Sequence, residues 1–302
     1  MVCCFRQHFD SSRKNVRLIT SDLYGRGYSG TPNPELHPQN AELFTHQILA
    51  VLASSPLAWT GDNAFDLIGY SMGGGIGMAF TSYFPTLVHS LVLIAPSGLL
   101  RDSQIHWTSR IMYGDYLPKP LVTWLVRRRL RGGTFSSPSK TANPEGTPKE
   151  AVAGEVPGSL PAHHPDSQAP LFPDRPSVSV ADAVAWQVEH HLGFIPAFVS
   201  SIKYAPIRNE HSRWRTVGER LARQRMNSHS TERALEGLHR GKVLMILGTS
   251  DNVIVAKEIS EDAKDVLGEG AEIKYLTGGH DLPIVESEAV AGTILDFWQT
   301  EQ

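Results

Sequence analysis

Phe65-Asp66-Leu67-Ile68-Gly69-Tyr70-Ser71-Met72-Gly73-Gly74-Gly75-Ile76-Gly77-Met78-Ala79-Phe80-Thr81-Ser82-Tyr83-Phe84 is an apolar strand that breaks into a glycine-rich helix, with one serine at the break. Phe65, Leu67 and Ile68 read as a buried strand, and Met72 to Phe84 as a helix stopped by Pro85. Gly69 to Gly73 is a G-x-S-x-G sequence. Glycines on both sides let backbones pass closely around a strained turn, so that Oγ of Ser71 projects from the carboxyl end of the strand as a nucleophile elbow. The motif by itself is common in ordinary loops. A strand before it and a helix after it are the context that gives it meaning.

Outward from this stretch the same alternation recurs. Upstream, Val16 to Thr20 is a short strand running into the glycine-rich Ser21 to Ser29, and Leu43, Phe44, Ile48, Val51 and Leu52 recur at helical spacing. Downstream, Ser90 to Pro96 is another continuous apolar strand. The sheet pattern returns with strands at 242–248 and 272–276 and helices at 256–267 and 287–298. Strands alternating with helices point to a parallel sheet covered on both faces. Residues 1–97 and 241–302 therefore read as one α/β core, and 98–240 as a helical cap inserted into it. Within the cap, residues 132–180 are rich in Pro, Ser, Gly and Ala, and read as a disordered insertion that buries too little to offset its chain entropy. The basic run Arg127-Arg128-Arg129-Leu130-Arg131 reads as a solvated helix end complementing the helix dipole.

Composition narrows the partners. The 302 residues are 41% hydrophobic with a formal charge of −3, which offers no electrostatic case for nucleic acid. No run approaches the roughly 18 apolar residues of a membrane span, so no stable membrane insertion is expected. Cys3 and Cys4 are adjacent and have no partners elsewhere; with no secretory leader in the first residues, the expected location is cytoplasmic. Neither H-E-x-x-H nor paired C-x-x-C occurs, so no metal and no cofactor are expected. The partner expected is a small apolar substrate, and the oligomeric state is open.

Ligands of open parallel sheets bind beyond the carboxyl ends of the strands. Three polar residues stand there: Ser71, Asp251 in Gly248-Thr249-Ser250-Asp251, and His280 in Gly278-Gly279-His280-Asp281. A serine hydroxyl needs a base within hydrogen-bond reach, and the base needs an acid to set its tautomer. Ser71, His280 and Asp251 are candidates for these three roles, with Asp102 the weaker rival for the acid.

As a set, Asp22-Leu23-Tyr24-Gly25-Arg26-Gly27-Tyr28-Ser29, the elbow and the Asp251 and His280 loops resemble the α/β-hydrolase superfamily, in its capped group with an S-M-G-G elbow. The resemblance covers Val16 to about Ser97 and Gly241 to Trp298. It implies Ser71 as nucleophile, His280 as base, Asp251 as acid and the Met72 amide as one oxyanion-hole donor. Members of the family carry two or three further strands and a His-Gly loop ahead of the strand at 16–20, whereas fifteen residues precede it here and contain no His-Gly. The fold expectation is thus an N-terminally truncated α/β-hydrolase: either strands 16–20 and 65–69 pair directly, or the natural product is longer. The activity expected is hydrolysis of a small or medium apolar carboxylic ester, thioester or amide through an acyl-enzyme. Carbon-carbon bond hydrolysis, acyl transfer, and an impaired hydrolase-like protein are the alternatives.

Overall fold

Ile68 points to one face of a sheet and Leu67 to the other, and that alternation builds the core. The structure, a computed structural model, describes residues 2–10, 13–101, 111–114, 116–130, 169–172, 174–227 and 237–299. In chain order, β1 (Val2–Asp10) and β2 (Arg13–Ser21) precede α1 (Ala41–Ala53), β3 (Phe65–Tyr70), α2 (Met72–Tyr83) and β4 (Val88–Ile94). α3 (Lys119–Leu130), β5 (Pro170–Phe172), β6 (Arg175–Ser179), α4 (Val180–His190), α5 (Phe194–Tyr204) and α6 (His211–Asn227) follow. β7 (Val243–Gly248), α7 (Ala256–Leu267), β8 (Ala271–Leu276), α8 (Leu282–Val285) and α9 (Ser287–Gln299) complete the chain.

The main sheet has the order β2-β1-β3-β4-β7-β8, with β3, β4, β7 and β8 parallel. β3, β4 and β7 are buried along nearly their whole length, as strands covered on both faces must be. On one face Leu67, Leu91, Leu93, Met245 and Leu247 pack with Phe44 and Ile48 of α1, Ile76 and Phe80 of α2, and Ile259 and Val266 of α7. On the other, Ile68, Val92, Ile94, Leu244 and Ile246 pack under Val290, Ile294, Phe297 and Trp298 of α9. Each fully buried Leu, Ile or Phe stabilises such a core by about 1.5–3 kcal/mol.

One of the two alternatives for the amino end, and part of the reading of the insertion, are corrected. Strands β2 and β3 do not pair directly: β1 stands between them, antiparallel to both, with Val2 opposite both Ser21 and Gly69. β1 pairs with β2 in nine positions, from Val2 opposite Ser21 to Asp10 opposite Arg13, and with β3 from Val2 opposite Gly69 to Phe5 opposite Asp66, so it supplies partners to the facing edges of both neighbours. The stretch 132–180 is also not structureless at its end. Pro170 to Ser179 forms a two-stranded ribbon, and Ser179 caps α4 in a capping box with Asp182. The rest of that stretch lies outside the described residues.

Of the segment 98–240, α3, α4 and α5 share their own apolar cluster of Val122, Val126, Leu130, Val188, Phe194, Ile195 and Phe198. α6 does not join it. Its Trp214, Val217 and Leu221 belong to the main core, beside α2 and α7. Arg128, near the end of α3, is exposed and lies 5.5 Å over the Trp124 ring. Among the described residues, no helix is long and apolar enough to cross a membrane.

Candidate active site

β3 ends at Tyr70 and α2 begins at Met72, so Ser71 must turn the chain in one residue. It does so at φ 52°, ψ −122°, a backbone conformation unfavourable for any residue with a Cβ. The surroundings hold it there. The Ser71 amide donates to Ile94 O (3.0 Å), and its carbonyl accepts from the Gly74 amide (2.8 Å) and the Ser97 amide (3.1 Å). A Cβ at Gly69 would lie 2.3 Å from the Gly73 carbonyl oxygen, and one at Gly74 would lie 2.5 Å from Pro96 Cβ, so the crossing requires glycine at both. The Ser71 hydroxyl makes no capping bond to its own helix.

Instead Ser71 Oγ lies 2.9 Å from His280 Nε2, which reaches it from the loop after β8. His280 Nδ1 lies 3.0 Å from Asp251 Oδ2, in the loop after β7. The Asp251 side chain is fully buried, and its Oδ1 accepts the amides of Val253 and Ile254, each at 2.8 Å. An ionised carboxylate only accepts, so Nδ1 carries the proton toward Asp251 and Nε2 turns a lone pair to the serine hydroxyl. Ser71 and His280 are partly exposed, within reach of a ligand. Met72 is the first residue of α2, and its amide has no carbonyl one turn back to bond.

Thus the three polar residues singled out from the sequence converge, across 209 and 29 residues of chain. The rival Asp102 lies outside the described residues, as do His163 and His164. His191 is spoken for, with Nε2 3.0 Å from Ser29 O, and His190 packs on Trp186. Among the described residues no cluster of His, Cys, Asp and Glu is placed to hold a metal. In the Asp22 to Ser29 loop, Asp22 Oδ2 accepts the Tyr28 amide at 2.9 Å and its carbonyl accepts the Ser29 hydroxyl at 2.6 Å. Where this loop meets α4 and the turn before α5, a cleft of about 700 Å³ opens between Tyr28, Thr31, Trp186, Leu192 and Pro196. None of Ser71, Asp251 and His280 lines it. Sequence reasoning missed Tyr70 and Asp281, which flank Ser71 and His280 in the chain and bond to each other at 2.9 Å. Their only signal was adjacency to the candidate nucleophile and base.

A strained serine at a strand-to-helix turn, served by a histidine and an aspartate from later strand ends, defines the hydrolase elbow arrangement. The chain belongs to the alpha/beta hydrolase family, whose model matches residues 4–293. It is similar in fold to the enol-lactonase from Burkholderia xenovorans LB400, with 14% identity, a TM-score of 0.52, and coverage of 95% of this chain and 81% of that one. It is similar likewise to a meta-cleavage product hydrolase from Pseudomonas fluorescens IP01, with 14% identity, a TM-score of 0.51, and coverage of 95% and 80%. An uncharacterized protein of Mycobacterium tuberculosis is 30% identical over 88 residues, which is 29% of this chain; the match spans 24% of that relative's length.

Proposed function

We propose that this protein is a serine hydrolase that cleaves a small or medium apolar carboxylic ester through an acyl-enzyme. The observation that carries the reading is the unbroken line of hydrogen bonds from Ser71 Oγ through His280 to the buried Asp251. Ser71 Oγ attacks the carbonyl carbon while its proton passes to His280 Nε2, and Asp251 stabilises the imidazolium that forms. The Met72 amide, at the amino end of α2, donates to the developing oxyanion in company with the helix dipole. Collapse of the tetrahedral intermediate breaks the bond to the leaving alcohol, which takes the proton from His280. Water then enters, gives a proton to His280 and its oxygen to the acyl carbon; as the second intermediate breaks down, the proton returns to Ser71 Oγ and the free acid departs. The helices α3 to α5 serve as the cap over this end of the sheet.

The test is labelling by a fluorophosphonate followed by turnover of p-nitrophenyl esters of graded chain length. Modification at Ser71, lost in Ser71→Ala, together with turnover of the esters supports the reading. Labelling with turnover of a β-diketone but not of esters would move the assignment to carbon-carbon hydrolysis. Absence of labelling in a folded sample would leave a hydrolase-like protein without the chemistry.

A further inference from the structure

Tyr70 and Asp281 take no part in the proton relay, yet they tie its two halves together. Tyr70 immediately precedes Ser71 and Asp281 immediately follows His280, so one hydrogen bond spans 211 residues of chain: the Tyr70 hydroxyl donates to Asp281 Oδ1 at 2.9 Å. Asp281 is 7% exposed, and the Tyr70 ring lies 5.4 Å from the His280 imidazole, centroid to centroid, inclined by 38°. Both ends of this link are anchored. Tyr70 is the last residue of β3, in register with Ile94 of β4 at the centre of the sheet. The Asp281 carbonyl accepts the amides of Ile284 (2.9 Å) and Val285 (3.1 Å), which fixes the start of α8 just after the histidine.

The chemistry of the base makes this link more than packing. His280 works only with one carboxylate at Nδ1 and with Nε2 free for the serine. Asp281 places a second carboxylate on the next residue. Unbound, it would compete with Asp251 for the imidazolium and draw the ring off Ser71; bound to a phenol on the rigid strand, its charge has a fixed donor and a fixed direction. On the reading of Ser71 as nucleophile, we propose that Tyr70 and Asp281 are positioning residues that hold the His280 ring against Ser71 and keep the second carboxylate from capturing it.

Three variants test this: Tyr70→Phe, which removes one oxygen and keeps the ring, Asp281→Asn, and the pair together. Two readouts are taken against pH, the rate of fluorophosphonate labelling at Ser71 and the titration of the His280 ring followed by NMR. Tyr70→Phe is expected to slow labelling about tenfold, the scale of a modest misplacement of a reacting group, and to move the His280 midpoint upward, because the released carboxylate favours the imidazolium. Adding Asp281→Asn is expected to return the midpoint toward that of the unaltered protein, and the double variant should be no slower than the slower single one. A Tyr70→Phe protein whose midpoint and labelling profile both superimpose on those of the parent would overturn the proposal. So would a lower melting temperature with an unmoved midpoint, since that is support of the fold alone. Should the unaltered protein not label at Ser71, the hydrolase reading falls, while the His280 titration still decides the role of the pair.

Discussion

Both ends of the central sheet carry a histidine bonded to a buried aspartate, and the two pairs behave differently. At the carboxyl end, His280 Nδ1 meets Asp251 at 3.0 Å; at the amino end, His89 Nδ1 meets Asp66 at 2.8 Å. The inner members match, since the Asp66 side chain is 5% exposed and that of Asp251 is 0% exposed. The outer members do not. The His280 side chain is 14% exposed and turns its far nitrogen to a strained serine, whereas that of His89 is 51% exposed and lies 5.5 Å from the ring of His239. A histidine-aspartate pair is therefore no site in itself. What distinguishes the carboxyl end is a third residue, Ser71, turned out of the sheet at positive φ; the strand starts at Phe65 and Val88 carry a register shift but no such residue.

The sharpest way to break this contrast is to remove the acid at each end. Asp251→Asn should lower ester turnover by about 10⁴-fold while the protein stays folded, because the imidazole loses its tautomer and the imidazolium its partner. Asp66→Asn should leave turnover within about twofold. Comparable losses from both, measured as kcat/KM on an activated ester, would mean that the two ends are coupled and the contrast is wrong.

The strain at the elbow gives a second test. Ser71→Gly removes the nucleophile and also the Cβ that makes φ 52° unfavourable, so it should abolish labelling yet raise stability by about 1 kcal/mol in chemical denaturation. A Ser71→Gly protein less stable than the parent would show that the turn is not strained.

At the amino end the expected effects are smaller and concern the fold. His89→Ala takes the partner from a buried carboxylate; because His89 is half exposed and water can replace it, the cost should lie near 1 kcal/mol. The dependence on pH is more telling. The Asp66 hydrogen bond raises the pKa of His89 above its ordinary value, so the stability it contributes is complete below about pH 6.5 and is lost as pH climbs through the raised folded value. Burial, with the nearby His89 charge, lowers the pKa of His239, so its contribution is present above about pH 6.5 and is lost as pH falls through the depressed value. Asp66 pulls His239 the other way and Arg240 adds to the depression. Thermal melts between pH 5 and 8.5 should therefore show a maximum near neutrality, with His89→Gln flattening the alkaline side and His239→Gln the acid side. An unchanged profile in both variants would remove the amino-end pair from the account.

The parts read correctly in advance were those with a short-range cause. β3, β4 and β7 show as predominantly apolar runs because both faces are covered, and the elbow shows because a one-residue turn between a strand and a helix demands glycine around it. That Asp251 and His280 lie near Ser71 was legible because a parallel sheet places the loops after its strands at one end, so position along the chain is already position in space. Other features had no local sign. Nothing in Val2 to Asp10 states that it pairs with residues on both sides, since strand pairing depends on the edges that neighbours leave open, and those edges come from β2 and β3. α6 carries the same helical periodicity as α4 and α5, and only packing decided that Trp214 belongs to the main core rather than beside Phe198. His89 and His280 look alike as residues in the chain; what sets the second apart is a serine 209 residues away held 2.9 Å from its ring nitrogen. Amino-acid order thus determined which local conformations were cheap, while the choice of neighbour, on which the meeting of Ser71, His280 and Asp251 depends, belonged to the tertiary structure, because contacts over such separations repay their loop-closure entropy only when the whole sheet forms.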